Sequence, residues 1–472
     1  MTISGPAGSA AQEGRRDRLW VKVRRALTEF LLLPIFIMTL FVTLAVGSYL
    51  LDMKASAGND PLREYLRHHL FVEPDVTANL LAVVAAGLIT VTSIVMSLLL
   101  VAVQQSANAM SLDVFDQFLR RRENQFYFGF FIGLALFSML TLATTHDQLN
   151  PVYGGTLALL LSSVALGLLI VLMYTTVNQM RPAVVIGAIK QHALSAKRRQ
   201  RDLVLSTRCP PEGTSVLDER SGKPVYSRNH GHVTRIHIET IEKALRAEPE
   251  AVVTLDVRIG TFIACGDRVA AIRNARGEEL AECVLGAIRL GYQRDVTYDA
   301  AYGVQQIEFI SWTSISSAKA NPGPGLEGLR ALRDVLAVWT PDQVELDRER
   351  DLSNSRILYS DPAYDSLFDA FEALGSITAE SWQHQSLSEV FKTIRSSFEM
   401  LPERGKKRFE EVILRLIPPL GKHVLTRRLE ASIADLLSVL HRTGRTSTAS
   451  ALQEALDEMK QTVGHLPSAQ EK

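Results

Sequence analysis

The stretch NLLAVVAAGLITVTSIVMSLLLVAV, from Asn79 to Val103, contains no charged side chain. A helix that crosses a hydrocarbon layer of about 30 Å needs about 20 mostly apolar residues, and this stretch meets that length. Uncharged runs this long are uncommon in the helices of soluble proteins. The sequence therefore predicts that residues 79–103 form a transmembrane helix.

Three further uncharged stretches of similar length lie in the first 180 residues: Phe30–Leu51, Phe126–Thr145 and Gly155–Val177. The first is too long to be the apolar core of a cleaved signal peptide, which spans about 7–15 residues. Four such stretches in succession are hard to bury in a soluble core. We therefore predict a four-span transmembrane domain over residues 29–180, after a basic N-terminal segment at 1–28.

The distribution of Lys and Arg predicts the direction of the spans, because short cytoplasmic loops are rich in these residues. Fifteen lie in the N-terminal segment, in the loop between spans two and three and after span four. The other two loops hold three. We therefore predict a multi-pass protein of the cell inner membrane, with the N-terminus and the C-terminus in the cytoplasm.

Polar side chains share one face of the second span, at spacings of three, four, seven and four residues: Thr90, Ser93, Ser97, Gln104 and Asn108. One interpretation is a permeation path, whose hydroxyl and amide groups replace part of an ion's hydration shell. The other is hydrogen bonding between packed spans, which contributes about 0.6 kcal/mol per contact. Packing is the simpler interpretation, because no ring of charged residues accompanies the face.

Three arginines, Arg120, Arg121 and Arg122, follow the polar face at the predicted inner end of the second span. A basic cluster at the mouth of a path would attract anions. The four predicted spans contain no ionisable residue of the kind that proton pumps and voltage sensors require. A passive channel is compatible with this composition.

Small residues at a spacing of four predict close contacts between helices in the membrane. Gly129 and Gly133 form such a pair in span three, and Ser163 and Gly167 form another in span four.

After the fourth span we predict a basic linker at 181–230, which includes Lys197, Arg198, Arg199 and Arg201. These side chains would contact either anionic lipid or, as an exposed helix face, water.

A cytoplasmic α+β domain is predicted at 231–345 and a helical C-terminal region at 346–472. Strands are predicted at Val233–Ile238, Val252–Arg258, Thr261–Ala264 and Arg268–Arg273. Helices are predicted at Glu239–Ala247, Asp299–Ala318 and Gly325–Trp339.

The sequence contains few patterns of reactive groups. The 51 Lys and Arg balance 51 Asp and Glu, so no nucleic-acid partner is predicted. The chain has three cysteines, too few for a disulfide framework. His230, His232 and His237 are the densest histidine group, but metal sites need three or four convergent ligands. We predict no metal, no cofactor and no catalytic residues.

Several segments resemble the DUF2254 family of predicted bacterial membrane proteins, over roughly residues 15–345. Ser97, Val101 and Gln104 are similar to the family's pattern at the end of its second span. The following residues are similar to later family segments: Arg120, Arg122, Gln125, Gly129, Gly260, Gly266, Asp267, Leu290, Gly291, Arg294, Asp299, Gly303, Asn321 and Pro322. The chain departs from the family at Ser111-Leu112-Asp113 and at Arg121. The resemblance implies the topology but no activity.

Two functions are compatible with this organisation. The first is a passive channel or transport-type protein, a homo-oligomer in the lipid bilayer, with span two lining the path and the cytoplasmic domain as vestibule or regulator. The second is a membrane-tethered sensor or scaffold that binds a protein or a ligand through its cytoplasmic domain. A membrane enzyme has no positive support, because no nucleophile–base pair is visible.

Overall fold

The chain divides into two compact units, Met1–Arg181 and Pro182–Lys472, which we call the membrane unit and the C-terminal unit. The computed structural model describes residues 31–57, 60–109, 122–146, 149–179, 181–210, 222–275, 277–295, 297–316, 321–421 and 423–462.

The described part of the membrane unit is helical: α1 (Leu32–Ala57), α2 (Pro61–His69), α3 (Pro74–Ala109), α4 (Arg122–Ala143) and α5 (Val152–Gln179). All but α2 are long and apolar enough to cross a membrane, which confirms the four apolar helices predicted from the sequence. The short helix α2 begins where the Asp60 carboxylate accepts a hydrogen bond from the Leu62 amide. Pro61 occupies the first turn, where a missing N–H costs nothing.

Helix α4 lies at the centre of the membrane unit and contacts α1, α3 and α5. Its side chains Phe131, Leu134 and Phe137 are almost fully buried. The ring of Phe130 meets the ring of Phe41 on α1 edge to face, with centroids 5.4 Å apart. Because α4 is apolar on all sides and covered by three helices, it is the most buried of the four candidate spans.

The first apolar helix is longer than predicted. The sequence places its end at Leu51, whereas α1 continues to Ala57 and so includes Asp52 and Lys54. Burial of Asp52 is possible because its carboxylate accepts hydrogen bonds from two backbone N–H groups at the start of α5. The candidate span Leu32–Ser56 therefore carries two charged residues, although the predicted stretch Phe30–Leu51 itself contains none.

The C-terminal unit begins with α6 (Pro182–Leu205), where the sequence predicted a linker. Ile186, Ile189, Ala193 and Val204 are buried at helical spacing, and α6 packs on two later helices, α9 (Ala300–Ile315) and α10 (Gly323–Asp351). At the contact with α9, a Cβ added to Gly303 would lie 2.6 Å from the Ala193 Cβ. The basic run concealed this apolar face in the sequence.

In the described part of the C-terminal unit, seven short strands form two sheets. They are β1 (Lys223–Tyr226), β2 (Gly231–Ile236), β3 (Val252–Leu255), β4 (Phe262–Ile263), β5 (Arg268–Arg273), β6 (Ile288–Gly291) and β7 (Ile357–Leu358). One sheet has the order β1-β5-β3-β7, with β3 and β7 parallel, and the other has the order β4-β2-β6 and is antiparallel. Helices α7 (Ile238–Ala247) and α8 (Glu279–Ala287) pack against each other beside the sheets. The predicted mixture of strands and helices is confirmed.

The rest of the described C-terminal unit is helical: α11 (Asp365–Glu380), α12 (His384–Phe398), α13 (Glu403–Leu420), α14 (Arg427–Arg442) and α15 (Thr446–Thr462). Alternate helices contact one another, so α9, α11, α13 and α15 form one layer and α10, α12 and α14 form the second. Stacked helix pairs of this kind resemble the arrangement in helical repeat proteins. Phe368, Phe371 and Phe409 pack edge to face between α11 and α13.

Candidate functional sites

The predicted polar face of the second span lies on the outside of the membrane unit. Thr90, Ser93 and Ser97 on α3 are all exposed. The Thr90 hydroxyl donates to the Ala86 carbonyl at 2.9 Å, and the Ser97 hydroxyl donates to the Ser93 carbonyl at 3.0 Å. Two of the three hydroxyls, those of Thr90 and Ser97, are thus satisfied within their own helix and need no partner on another span of the same chain.

The structure adds Asn79 to this face. Asn79 is exposed on α3 and is separated from Ser97 by five helical turns, so the two side chains point the same way. Ala82 and Ala86 lie between them and are also exposed. The sequence pattern missed Asn79 because the two alanines interrupt the run of polar residues. We call Asn79, Thr90, Ser93 and Ser97, with the two alanines, the α3 polar face.

The remaining residues of the predicted path lie outside what the structure describes. Gln104 and Asn108 belong to the last turns of α3, but their side chains are not among those described. Arg120 and Arg121 also lie outside the described residues, and Arg122 begins α4 with no side-chain description.

The two predicted packing pairs have different surroundings. A Cβ added to Gly129 would lie 2.9 Å from the Pro34 Cα, and one added to Gly133 would lie 2.5 Å from the Phe41 ring. These two glycines therefore allow α1 and α4 to approach closely. No described atom lies within 4 Å of a Cβ added to Gly167. Ser163 is exposed, and its hydroxyl donates to the Leu159 carbonyl.

Asp52 joins α1 to the first turn of α5. Its carboxylate accepts hydrogen bonds from the Tyr153 amide at 2.9 Å and the Gly154 amide at 3.0 Å. The first N–H groups of a helix have no partner within the helix and carry partial positive charge, so a buried carboxylate is stable there. Asp52 is fully buried and has a structural role in the contact between α1 and α5. The sequence did not indicate this role, because Asp52 lies just beyond the end of the predicted span.

Three further hydrogen bonds join the loops at this end of the membrane unit. The Asn150 amide group accepts from the Thr77 hydroxyl at 2.7 Å and donates to the Phe71 carbonyl at 3.0 Å. The Tyr153 hydroxyl donates to Asp60, and this hydrogen bond lowers the pKa of the Asp60 carboxyl. The start of α5 is therefore tied to α2 and to α3.

An open cavity of about 960 Å³ lies beside these contacts, between α1 and α5. Its walls are mainly apolar, and Lys54, Asp60 and Tyr153 line one end. It does not include the α3 polar face.

The basic residues after the fourth span have several environments. The Lys197 ammonium is buried and lies 2.5 Å from the Asp361 carboxylate and 3.1 Å from the Gln343 amide oxygen. Burial raises the pKa of Asp361, but the Lys197 ammonium, together with the Ala363 amide and the Arg350 charge, holds this pKa below its ordinary value. Arg199 donates to the Thr297 carbonyl, and Arg201 lies near Glu345 and Glu349.

Lys197 is therefore a core residue of the C-terminal unit. Lipid contact stays a prediction for Arg198, which is exposed, and for Arg199 and Arg201.

Three residues that resemble the family pattern meet in the C-terminal unit. The Asp299 carboxylate accepts from the Tyr302 amide at 2.9 Å, at the start of α9, and from the Arg294 guanidinium at 2.8 Å. Burial raises the pKa of Asp299 despite this ion pair. The backbone of Gly260, whose φ is +88°, lies so close to the Asp299 carboxylate that a Cβ added to this glycine would be 2.1 Å from Asp299 Oδ2. The cluster joins the three-stranded sheet to α9, and its charges are paired.

The sequence did not predict a histidine pair between α12 and the loop before α14. The Nδ1 atoms of His384 and His423 are 3.2 Å apart, and His423 Nε2 contacts the Ala379 carbonyl. Burial lowers the pKa of both rings. In the described parts of the chain, no group of three His, Cys, Asp or Glu residues is placed to hold a metal ion.

The fold defines the chain as a membrane protein with several apolar helices, followed by a unit of mixed helices and sheets. It belongs to the family of predicted membrane proteins called DUF2254, whose model matches residues 28–384, as the sequence resemblance indicated.

Two relatives share 23% identity over 302 residues: uncharacterized protein Mb1321c of Mycobacterium bovis and uncharacterized protein Rv1290c of Mycobacterium tuberculosis. The match covers 59% of this chain and 56% of each relative, so the chain spans about half the length of the curated relatives it matches. No solved structure matches the chain.

Proposed function

We propose that the protein is a passive, transport-type protein of the cell inner membrane. It works as a homo-oligomer in which the α3 polar faces of several copies line a common path. The observation that carries this proposal is the exposure of this face from Asn79 to Ser97, over most of one apolar helix. Within one copy α1, α4 and α5 leave the face uncovered, so a closed path needs other copies.

The chemistry of the α3 polar face favours a path over a purely packing role. The Thr90 and Ser97 hydroxyls already donate to carbonyls of α3, yet their oxygens still have lone pairs that can accept hydrogen bonds from the water that hydrates a permeant ion. Ala82 and Ala86 are small and leave room beside the helix. Weakly polar groups of this kind replace part of an ion's hydration shell without trapping the ion.

The C-terminal unit is the cytoplasmic vestibule or regulator in this proposal. The excess of Lys and Arg at both ends of the membrane unit supports a cytoplasmic N-terminus and a cytoplasmic C-terminal unit. The arginines 120–122 would then lie at the inner mouth, where their charge favours anions over cations.

The test is ion flux through liposomes that contain the purified full-length protein. We expect chloride flux above that of empty liposomes. Ser93→Leu and Ser97→Leu should each lower this flux by about tenfold, because each replaces a hydroxyl that contacts the hydrated ion with an apolar side chain. Ser163→Leu is the matched control, since Ser163 is an exposed hydroxyl on another candidate span. Absence of flux, or equal flux in all four proteins, would contradict the proposal.

A membrane-tethered scaffold is the second candidate, and the two layers of stacked helices favour it. Helical stacks present long surfaces to partners. A fragment for partner binding has to begin at Pro182, because α6 packs on α9 and α10. A stoichiometric partner that binds this fragment and the full-length chain equally, with no flux through liposomes, would favour the scaffold.

A further inference from the structure

The cavity between α1 and α5 is long, mainly apolar and open along one side. On α1 its lining runs from Leu40 to Ala55, which at about 1.5 Å per residue spans roughly 22 Å. On α5 it includes Leu157 and Leu160. Half of a hydrocarbon layer of about 30 Å is roughly 15 Å. The cavity therefore has the depth of one lipid leaflet together with part of the head-group region.

Gly47 forms part of the cavity wall on α1. No described atom lies within 4 Å of a Cβ added at this position, so the glycine faces open space. Leu44 and Leu51, one turn away on either side, also line the cavity. This arrangement makes an apolar channel in which an acyl chain can contact the helix backbone at Gly47.

One end of the cavity carries two opposite charges that do not pair with each other. Lys54 and Asp60 both line it, yet no ion pair joins the Lys54 ammonium to a described carboxylate. The Asp60 carboxylate accepts hydrogen bonds from the Leu62 amide and the Tyr153 hydroxyl. Ionised carboxylates offer about four acceptor positions, so Asp60 can accept further hydrogen bonds from a ligand.

We propose that this cavity binds one phospholipid of the phosphatidylethanolamine type. An acyl chain lies along Gly47 between α1 and α5, the phosphate contacts Lys54, and the primary ammonium donates to Asp60. One cation and one anion at the cavity end match a zwitterionic head group, whereas an anionic lipid would place its uncompensated charge beside Asp60. The Tyr153 ring has the amphipathic character that suits the boundary between hydrocarbon and water.

A phospholipid explains the charges better than a helix from a second copy does. A packed helix would exclude water from Lys54 without supplying a partner for its ammonium, and burial of unpaired charge is costly. A lipid head group leaves both side chains at the water boundary and gives each a charged partner.

The test is lipid retention by the purified full-length protein, measured by native mass spectrometry after incubation with equal amounts of three lipids. Phosphatidylcholine keeps the phosphate but has no ammonium N–H to donate to Asp60, and phosphatidylglycerol keeps the phosphate but has no cation. We expect phosphatidylethanolamine to be retained about tenfold more than either, the effect of one charge-assisted hydrogen bond.

Three variants separate the parts of the site. Gly47→Leu fills the channel and should abolish retention of phosphatidylethanolamine. Asp60→Asn keeps a side chain that can cap α2 and should remove the preference over both phosphatidylcholine and phosphatidylglycerol. Lys54→Gln should weaken the binding of all three lipids, because each contains the phosphate.

Matched controls are available for two of these changes. Gly167→Leu makes the same substitution at a glycine with equally open surroundings outside the cavity, and Arg67→Gln removes an exposed cation from α2. Both should retain the lipid as the unchanged protein does. Equal retention of the three lipids, or normal retention by Gly47→Leu, would overturn the proposal. A lower oligomeric state of Gly47→Leu with unchanged lipid retention would also overturn it and would identify a second copy as the occupant.

Discussion

Lys197 lies within a run of basic residues, yet its ammonium group is inside the C-terminal unit and pairs with Asp361. Removal of one partner from a buried ion pair leaves the other charge buried and uncompensated, which costs about 3–5 kcal/mol. We therefore expect Lys197→Met to lower the free energy of unfolding by about that amount. Trp339, whose ring lies 5.7 Å from the Lys197 ammonium, offers a fluorescence signal for denaturant unfolding.

The control for this prediction is on the same helix. Lys190 pairs with Asp334 at 3.2 Å, but the Asp334 side chain is 53% exposed. Exposed pairs contribute about 0–1 kcal/mol, so Lys190→Met should have a small effect. Asp361→Leu combined with Lys197→Met should recover part of the loss. Equal effects of Lys190→Met and Lys197→Met would contradict the structural role of Lys197.

The histidine pair predicts a loss of stability in weak acid. Burial lowers the pKa of His384 and of His423 below the value of about 6.5 in an unfolded chain. As the pH falls through about 6.5, the unfolded state therefore binds more protons than the folded state does. The stability that the pair contributes above that pH is progressively lost until the pH reaches the lower pKa of the folded state. Hydrogen exchange of α12 and α14 should be faster at about pH 5.5 than at about pH 7.5, after correction for intrinsic rates.

Substitution of the pair supplies the comparison. His384→Gln with His423→Gln should remove the acid dependence, whereas His441→Gln on α14 should leave it, because the His441 ring is bonded within its own helix. Acid dependence that persists in the double variant would assign it to other groups.

At the scale of elements, the contact between α1 and α4 depends on two glycines. A leucine at Gly133 would have to displace the buried Phe41 ring, and overpacking of this kind costs about 1–3 kcal/mol. We expect Gly133→Leu to lower the midpoint of thermal unfolding in detergent. Gly167→Leu should be neutral, because the space beside Gly167 is open. Equal midpoints for these two variants would show that α1 and α4 do not need the close approach.

The apolar helices were predictable from the sequence because length and lack of charge identify each one without knowledge of its neighbours. Their ends were less predictable, since Asp52 depends on the start of α5, which is about 100 residues away in the chain. Helix α6 was missed as a packed element because its basic residues obscured the buried stripe that begins at Ile186. No local pattern marked Lys197 as buried either, because its partner Asp361 is distant in sequence.

The polar face was partly predictable. Thr90, Ser93 and Ser97 follow helical spacing and could be grouped from the sequence, whereas Asn79 is separated from them by more than two turns of apolar residues. Whether such a face is covered by other helices depends on how the spans pack, and spacing alone does not determine that. The cavity with Lys54 and Asp60 likewise requires α1 and α5 to be side by side.

At the scale of the whole molecule, the distribution of Lys and Arg predicts opposite sides of the membrane for α2 and α6. In a variant without Cys209, Cys265 and Cys283, a membrane-impermeant maleimide should label Glu64→Cys in intact cells. It should label Arg198→Cys only after the cells are opened. Both positions are exposed in the structure, so a difference in labelling would report the side of the membrane. Labelling of Arg198→Cys in intact cells would contradict a cytoplasmic C-terminal unit.

In the proposed assembly the α3 polar face borders water inside the membrane, and the accessibility of spin labels tests this. Spin labels at Ser93 and at Ser163 occupy exposed hydroxyl positions on two different candidate spans. We expect collisions with a water-soluble relaxation agent to be frequent at Ser93 and rare at Ser163, where oxygen dissolved in lipid should dominate. Equal, lipid-like accessibility at both positions in the reconstituted protein would contradict a path lined by α3.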